Sequence, residues 1–448
     1  MKRFISIALL IFVLVTSNVF ALDAVYNNET GAITVSCDDA KYIIAGFNNN
    51  GELIEVKIGN QGEDIFLNYK ATIAYAEIYP FNFDNESVFD NPVIISVNPS
   101  DKVQILPDAV IRYMTTDFEV AADTLLKTRP LLTKQNDVKI EWEQVAFDGI
   151  YTFTLYENDI KVAYGETYFT DVTLNNLMIG TKYKWHVVYS DGTEFSGDFE
   201  TQDIPPRFIT TDSVDNVRDM GGWKTESGKK IKQGLLYRGA TLSDDRDESL
   251  DADGNPAYDA NGNRKSNNNY LLNKENLLSD NDRRVLRGLG IITEIDLRSS
   301  GEKNGRTTSP LGDTVAYYDI AINADSKELT NPDRMGQIFK LMADKANYPI
   351  YFHCTGGNDR TGRIAYLVNG LLGVSKEDLI RDWELSTFSW SMRFRNDGSY
   401  WDGFNQFMML VDGYEGETLS EKIENLMINT YGLTKDEIES IKNIMLEK

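Results

Sequence analysis

The residues best placed to do chemistry form one run, Tyr351-Phe352-His353-Cys354-Thr355-Gly356-Gly357-Asn358-Asp359-Arg360-Thr361-Gly362. An apolar strand delivers a cysteine into a short glycine-bearing loop. An amphipathic helix is expected from about Arg360, with Ile364, Leu367, Val368, Leu371 and Leu372 facing inward and Gly373 at its end. Such a loop can curl so that successive backbone N–H groups face one point, and the helix start adds its positive end. A phosphate fits there. The same field stabilises a thiolate, so Cys354 is the expected nucleophile. Thr355, Gly356, Gly357 and Asn358 supply the loop backbone, the glycines permitting close approach to the oxygens. The planar fork of Arg360 suits two of those oxygens at once.

Attack of the thiolate on phosphorus splits hydrolysis into two displacements through a phosphocysteine. The departing oxygen needs a proton, and Asp359 is the expected acid and the later activator of water. Thr361 is expected to donate its hydroxyl to the departing sulfur, and His353 to brace the loop. No cofactor is implied. No metal site is expected either, because the chain has two histidines, His186 and His353, and the first lies in a separate β region.

With 448 residues, the chain is long enough for several domains, and 42% hydrophobic content with 25% charged residues is that of a folded protein. The expected architecture is multidomain: N-terminal β-sandwich domains followed by an α/β cysteine-phosphatase domain. Residues 1–21 read as a secretory signal: Lys2 and Arg3, then an apolar stretch from Ile5 to Val15, then small residues ending at Ala21. The expected location is therefore periplasmic or extracellular, with no integral membrane segment after cleavage, since the stretch is shorter than the roughly 20 residues that span a bilayer. A formal charge of −24 disfavours nucleic acid as a partner. With only Cys37 and Cys354 present, a disulfide framework is not expected.

Residues 22–104 carry short β-type runs separated by Asn, Asp and Gly turns, among them Asn48-Asn49-Asn50-Gly51, and read as a β-sandwich. A second β unit spans 128–202, with strands expected at Val138–Trp142, Tyr151–Tyr156, Thr181–Val188 and Phe195–Thr201. Its Trp142, Leu177, Gly180, Thr181, Tyr183, Trp185 and Val187 resemble a fibronectin type III module, which implies a spacing or positioning role. Ile204-Pro205-Pro206 marks a boundary, and 204–448 alternates strands with helices. Strands are expected within Ile291–Leu297, Val315–Ile322 and Pro349–His353, and helices after Ser279, Asn331, Ser375 and Thr434. An Asp/Asn/Gly-rich insertion at 244–274 has the composition of a calcium loop but lacks the terminal Glu of an EF-hand.

The 204–448 region resembles the tyrosine-phosphatase-like family of bacterial dual-specificity and lipid phosphatases. The cysteine loop carries the resemblance, with Asn216-Val217-Arg218-Asp219-Met220-Gly221-Gly222, Tyr237-Arg238-Gly239, Asp296-Leu297-Arg298-Ser299 with Glu302 nearby, and Asn429–Glu437 in the same order. It implies a cysteine-phosphatase fold, the nucleophile at Cys354, the acid at Asp359, and Arg218 and Asp219 near the site as supporting residues. Asn358 stands where the family usually has Lys, which argues against polyanionic substrates. The implied partner is a phosphorylated protein or small phosphomonoester, with phosphotyrosine and phosphoserine first. Phosphoinositides or inositol phosphates are the alternative, and an inactive surface-binding protein is a second.

Overall fold

The computed structural model describes residues 22–26, 32–37, 41–47, 53–60, 64–66, 75–81, 93–96, 102–125, 133–145, 149–243, 278–303, 305–322, 331–389, 393–395 and 398–448. The expected signal, the Asn48–Gly51 turn and the 244–274 insertion lie outside these residues. The chain divides into two compact units, one of residues 1–101 with 111–117 and one of 102–110 with 118–448. In the first, the described strands form a three-stranded sheet and a four-stranded sheet. Within the latter, Lys41–Phe47 pairs antiparallel with Leu53–Asn60.

In the second unit, a β region precedes an α/β region. Val138–Glu141 pairs with Asp171–Leu174, and Ile160–Thr167, Tyr151–Glu157, Lys182–Tyr189 and Glu194–Thr201 form consecutive antiparallel neighbours. Alternation along these strands buries Val138, Ile140, Tyr151, Phe153, Leu155, Tyr183 and Val187 in one core. Trp142 stacks on Phe153 in that core, and the Tyr183 hydroxyl accepts from the Met178 N–H at 2.9 Å. Two strands, Ile160–Thr167 and Asp171–Leu174, were not anticipated. The first is exposed along most of its length, so its sequence lacks the inward-facing alternation that marks a half-buried strand.

The α/β region is built on a five-stranded sheet, buried except at its last strand, ordered Arg218–Asp219, Leu236–Gly239, Ile350–His353, Thr293–Asp296, Ala316–Asp319. The first pair is antiparallel and the others are parallel. Register sets Gly239, His353 and Asp296 side by side at the carboxyl ends of the three central strands. Cys354 follows directly, at the sheet edge where ligands of open α/β folds bind. Helices start as their caps dictate: the hydroxyls of Ser279, Ser375 and Thr434 accept from the amides of Asp282, Asp378 and Glu437. The helix Pro332–Ala343 buries Met335, Ile338, Phe339 and Met342 on one face.

The helix after the loop, Asp359–Leu371, buries the anticipated Ile364, Leu367, Val368 and Leu371, and Leu372 just beyond it, but is not amphipathic. Ala365, Tyr366, Asn369 and Gly370 are buried too, because further helices close over its other side. Tyr366 meets Phe404 and Phe407 edge-on, and a Cβ at Gly370 would come within 2.5 Å of Ile423. The loop therefore stands on a helix locked all round. Among the described residues, no helix is long and apolar enough to cross a membrane.

The β and α/β regions are joined by polar contacts of good geometry. The Gln233 amide donates to the Ile179 carbonyl and accepts from the Ile179 N–H, each at 2.9 Å. Asn176 accepts through its side chain from the Thr210 N–H at 2.6 Å and through its carbonyl from Arg207 at 2.6 Å. Gln233→Ala strands the N–H of fully buried Ile179, whose carbonyl keeps only the Thr181 hydroxyl at 3.0 Å. It is expected to lower the unfolding free energy by about 1–3 kcal/mol, as read from denaturant melts; an unchanged midpoint would remove this contact from the forces joining the regions.

Candidate active site

From Cys354 to Asn358, each carbonyl of the loop is claimed by a protein donor. The Cys354 carbonyl accepts from His353 Nδ1 at 2.9 Å, and that of Thr355 from the Thr241 N–H at 3.0 Å. The Gly356 carbonyl accepts from Asn216 Nδ2 at 3.2 Å, that of Gly357 from Arg238 at 2.8 Å, and that of Asn358 from the Gly362 N–H at 2.8 Å. In a trans peptide unit the C=O and the following N–H point in opposite directions. Carbonyls drawn outward therefore turn the amides of Thr355 through Asp359 inward. Among the described residues, none of the amides from Thr355 to Arg360 donates to a protein acceptor. The result is a concave set of donors beside Cys354, which is 4% exposed, at a helix N-terminus.

Two glycines make this possible at one point of contact. Gly357 has φ +70°, and a Cβ there would lie 2.4 Å from the Gly239 backbone, so the loop touches the neighbouring strand end directly. Gly356 leaves its carbonyl free to meet Asn216.

Behind the loop lies a buried charge network. Arg218 donates to Asp382 Oδ1 at 2.8 Å and to the Asp382 carbonyl at 2.6 Å, and Arg238 pairs with Asp382 Oδ2. Burial, with Arg218 alongside, pushes the Arg238 guanidinium down to about 10, against the opposing pull of Asp382 and Cys354. Asn216 spans the gap, donating to Asn358 Oδ1 at 2.8 Å and to Ser386 Oγ at 3.1 Å and accepting from Arg218. Arg218 thus reaches the loop through Asn216 and Asp382. Asp219 is turned elsewhere: it accepts from the amides of Gly221 and Gly234 at 2.8 and 2.6 Å and from Arg207 at 3.1 Å, holding the strand entry.

Arg360 is held by Glu302, Nη1 donating to Oε2 at 2.8 Å and Nη2 to Oε1 at 2.6 Å. Glu302 also accepts from Thr355 Oγ1 at 2.7 Å and Ser299 Oγ at 2.7 Å. Burial pushes the Glu302 carboxyl up, but the bonds from Arg360, Thr355 and Ser299 outweigh it and hold it well below the usual carboxylate range. The end of the Arg360 fork is therefore engaged, which leaves Nε as the guanidinium nitrogen with no protein acceptor among the described residues. The Thr361 hydroxyl is buried with no protein partner among the described residues. Asp359 is paired with Arg393 at 2.9 Å through both oxygens.

His353 joins the loop to the neighbouring strand: a carbonyl only accepts, so Nδ1 carries a proton toward Cys354, and Nε2 meets Glu294 at 2.9 Å. Glu294, Asp296 and His353 bring potential metal-ligand atoms within 4.8 Å of one another. All three are already paired, Asp296 with Arg298 and Tyr317, each at 2.8 Å, and Glu294 with Arg306 at 3.7 Å as well as His353. The trio is a brace under the loop.

Sequence reasoning named the loop and Arg218 but not the roles of Asn216, Asp382, Arg238 and Arg393. Glu302 was noted only as a neighbour of the Asp296–Ser299 motif. Its hydroxyl-and-Glu spacing, Ser299 to Glu302, forms a capping box and was the available signal.

A model of the tyrosine phosphatase family matches residues 209–252 and 273–447, just under half of the chain. A tyrosine-protein phosphatase of Nostoc commune is 31% identical over 134 residues, covering 24% of this chain and 45% of the relative. A Cupriavidus necator protein provisionally named a tyrosine-protein phosphatase is 25% identical over 200 residues, covering 39% and 61%. The chain thus spans less than two thirds of the length of either relative.

Two outcomes test this geometry. Gly357→Ala forces the loop off Gly239 and is expected to lower turnover of a phosphate monoester by about a hundredfold or more, with near-native activity as the contrary result. Because the folded Glu302 carboxyl is held below its ordinary value of 4.5, its contribution to stability is present above that pH and is lost as pH falls toward the folded value. Glu302→Gln should therefore flatten the acid side of the stability profile, and parallel profiles for the two proteins would contradict the pairing. The α/β region, with the cysteine loop inside the matched segment, is thus similar to the tyrosine phosphatase family over residues 209–252 and 273–447.

Proposed function

We propose that this protein hydrolyses phosphate monoesters through a phosphocysteine on Cys354, acting on phosphotyrosine or phosphoserine in proteins, outside the cytoplasm. The observation that carries the reading is the loop whose carbonyls from Cys354 to Asn358 are each bonded to a protein donor, turning the amides that follow them inward beside one sulfur, with Arg360 in the same loop. A phosphate dianion in that cradle meets fixed donors that need no rearrangement as charge shifts during transfer. Cys354 attacks phosphorus as the ester oxygen departs, and Asp359, adjoining Arg360, is the group that gives that oxygen its proton. In the second half, water displaces the sulfur. The partnerless hydroxyl of Thr361 suits donation to the sulfur as negative charge returns there. His353 and Arg218 act as supports, through the Cys354 carbonyl and through Asn216.

Asn358 favours simple monoesters over inositol polyphosphates. The residue is 2% exposed, its Oδ1 accepts from Asn216, and its neutral amide brings no positive charge to a second anionic group. Export rests on the character of residues 1–21.

The test is turnover of p-nitrophenyl phosphate by the full chain with chelator present. Chelator-resistant hydrolysis abolished in Cys354→Ser is expected. An absence of turnover over a broad pH range would instead favour a binding protein. In Asp359→Asn, esters with poor leaving groups should slow far more than p-nitrophenyl phosphate, since only the former need a proton; equal losses would take Asp359 out of the acid role. A phosphopeptide and inositol phosphate panel ranked by kcat/KM separates the substrate classes.

A further inference from the structure

Asp359 has surroundings ill suited to a group that only donates a proton. Both its oxygens accept from one guanidinium, Arg393 Nε and Nη2, at 2.9 Å each. Arg393 is itself fixed from three directions. Its guanidinium lies 3.6 Å over the Tyr400 ring, its N–H donates to Thr387 Oγ1 at 2.9 Å, and the Thr387 hydroxyl donates to its carbonyl. The Arg393 side chain is 9% exposed and that of Asp359 32%, so the carboxylate is held from behind by a rigid partner while it still faces solvent.

We propose that Arg393 is a positioning residue that readies Asp359 for its part in the second half of the reaction, the release of phosphate from Cys354. The proposal rests on the phosphocysteine reading above. A planar fork on both oxygens fixes the orientation of the carboxylate, the form of Asp359 that accepts a proton. In this step the oxygen of water bonds to phosphorus, the S–P bond breaks with its electron pair returning to sulfur as thiolate, and the proton of water passes to Asp359. Departure of the alcohol in the first half asks the opposite of Asp359: a proton already in place and a looser pair. A good leaving group needs no such proton, so for p-nitrophenyl phosphate the loss of Arg393 falls on the second half alone.

The experiment is stopped-flow turnover of p-nitrophenyl phosphate by the full chain. Arg393→Gln is expected to lower kcat about tenfold or more and to lower KM with it, because phosphocysteine accumulates. A burst of nitrophenolate approaching one equivalent per enzyme should appear. Arg393→Lys should restore part of kcat. Tyr400→Leu, a change at a side chain on the surface, should shift kcat, KM and burst in the same direction by less, and it carries the test alone if Arg393→Gln melts before assay. An unchanged kcat in both variants, or a fall in kcat with no burst and an unchanged KM, overturns the proposal. Should wild type form no phosphocysteine, or Cys354→Ser retain turnover, the phosphatase reading itself fails; an intermediate in wild type with no burst in the variants sinks the Arg393 proposal alone.

Discussion

Five peptide carbonyls in a row, from Cys354 to Asn358, must each find a donor outside the anion cradle, and the α/β region is arranged to provide them. A peptide group can face its N–H inward only if its neighbour's C=O has somewhere else to go. The donors come from His353, Thr241, Asn216, Arg238 and the loop helix itself. Two of these, Asn216 and Arg238, are held in turn by Arg218 and Asp382. Removing Asp382 would leave two buried guanidiniums uncompensated, which is far more costly than the pairing is stabilising. The network therefore fixes loop shape more than it raises stability.

The same logic of paired charges governs the rim. Arg360 is balanced by Glu302 and Asp359 by Arg393, so a strongly acidic chain keeps its cations at the site without leaving them unscreened. Arg207 links this region to the β region, bonding both Asn176 and the Asp219 that follows Arg218. The β region is thus seated on the strand that supports the loop, and its polar contacts reach the residue next to a loop brace.

Local signals in the sequence carried far. The strand Ile350–His353, the turn through two glycines and the helix from Asp359 were legible because each depends on a few adjacent residues. So were the capped helix starts at Ser279 and Thr434. What stayed hidden depends on residues far apart in the chain: Asp382 meets Arg218 across 164 positions and Arg393 meets Asp359 across 34. No periodicity or spacing announces such pairs. Ile160–Thr167 was missed for the opposite reason, as an exposed edge strand without inward alternation. The all-round burial of the loop helix was hidden because Ala365, Tyr366, Asn369 and Gly370 look like an outer face until the later helices cover them. Arg218 was flagged only through a family resemblance, and the chain of contacts from it to Gly357 supplies the physical reason for its place.

The central claim is that the inward amides and Arg360 together receive a tetrahedral oxyanion beside the Cys354 sulfur. A crystal structure of the full chain with bound tungstate tests it most directly. The account predicts the metal-oxide oxygens within about 2.7–3.1 Å of the amides from Thr355 to Arg360, with Arg360 Nε donating and the sulfur behind the central atom in line for attack. An empty loop, or tungstate seated elsewhere while Cys354 Sγ points away from the amides, would contradict it.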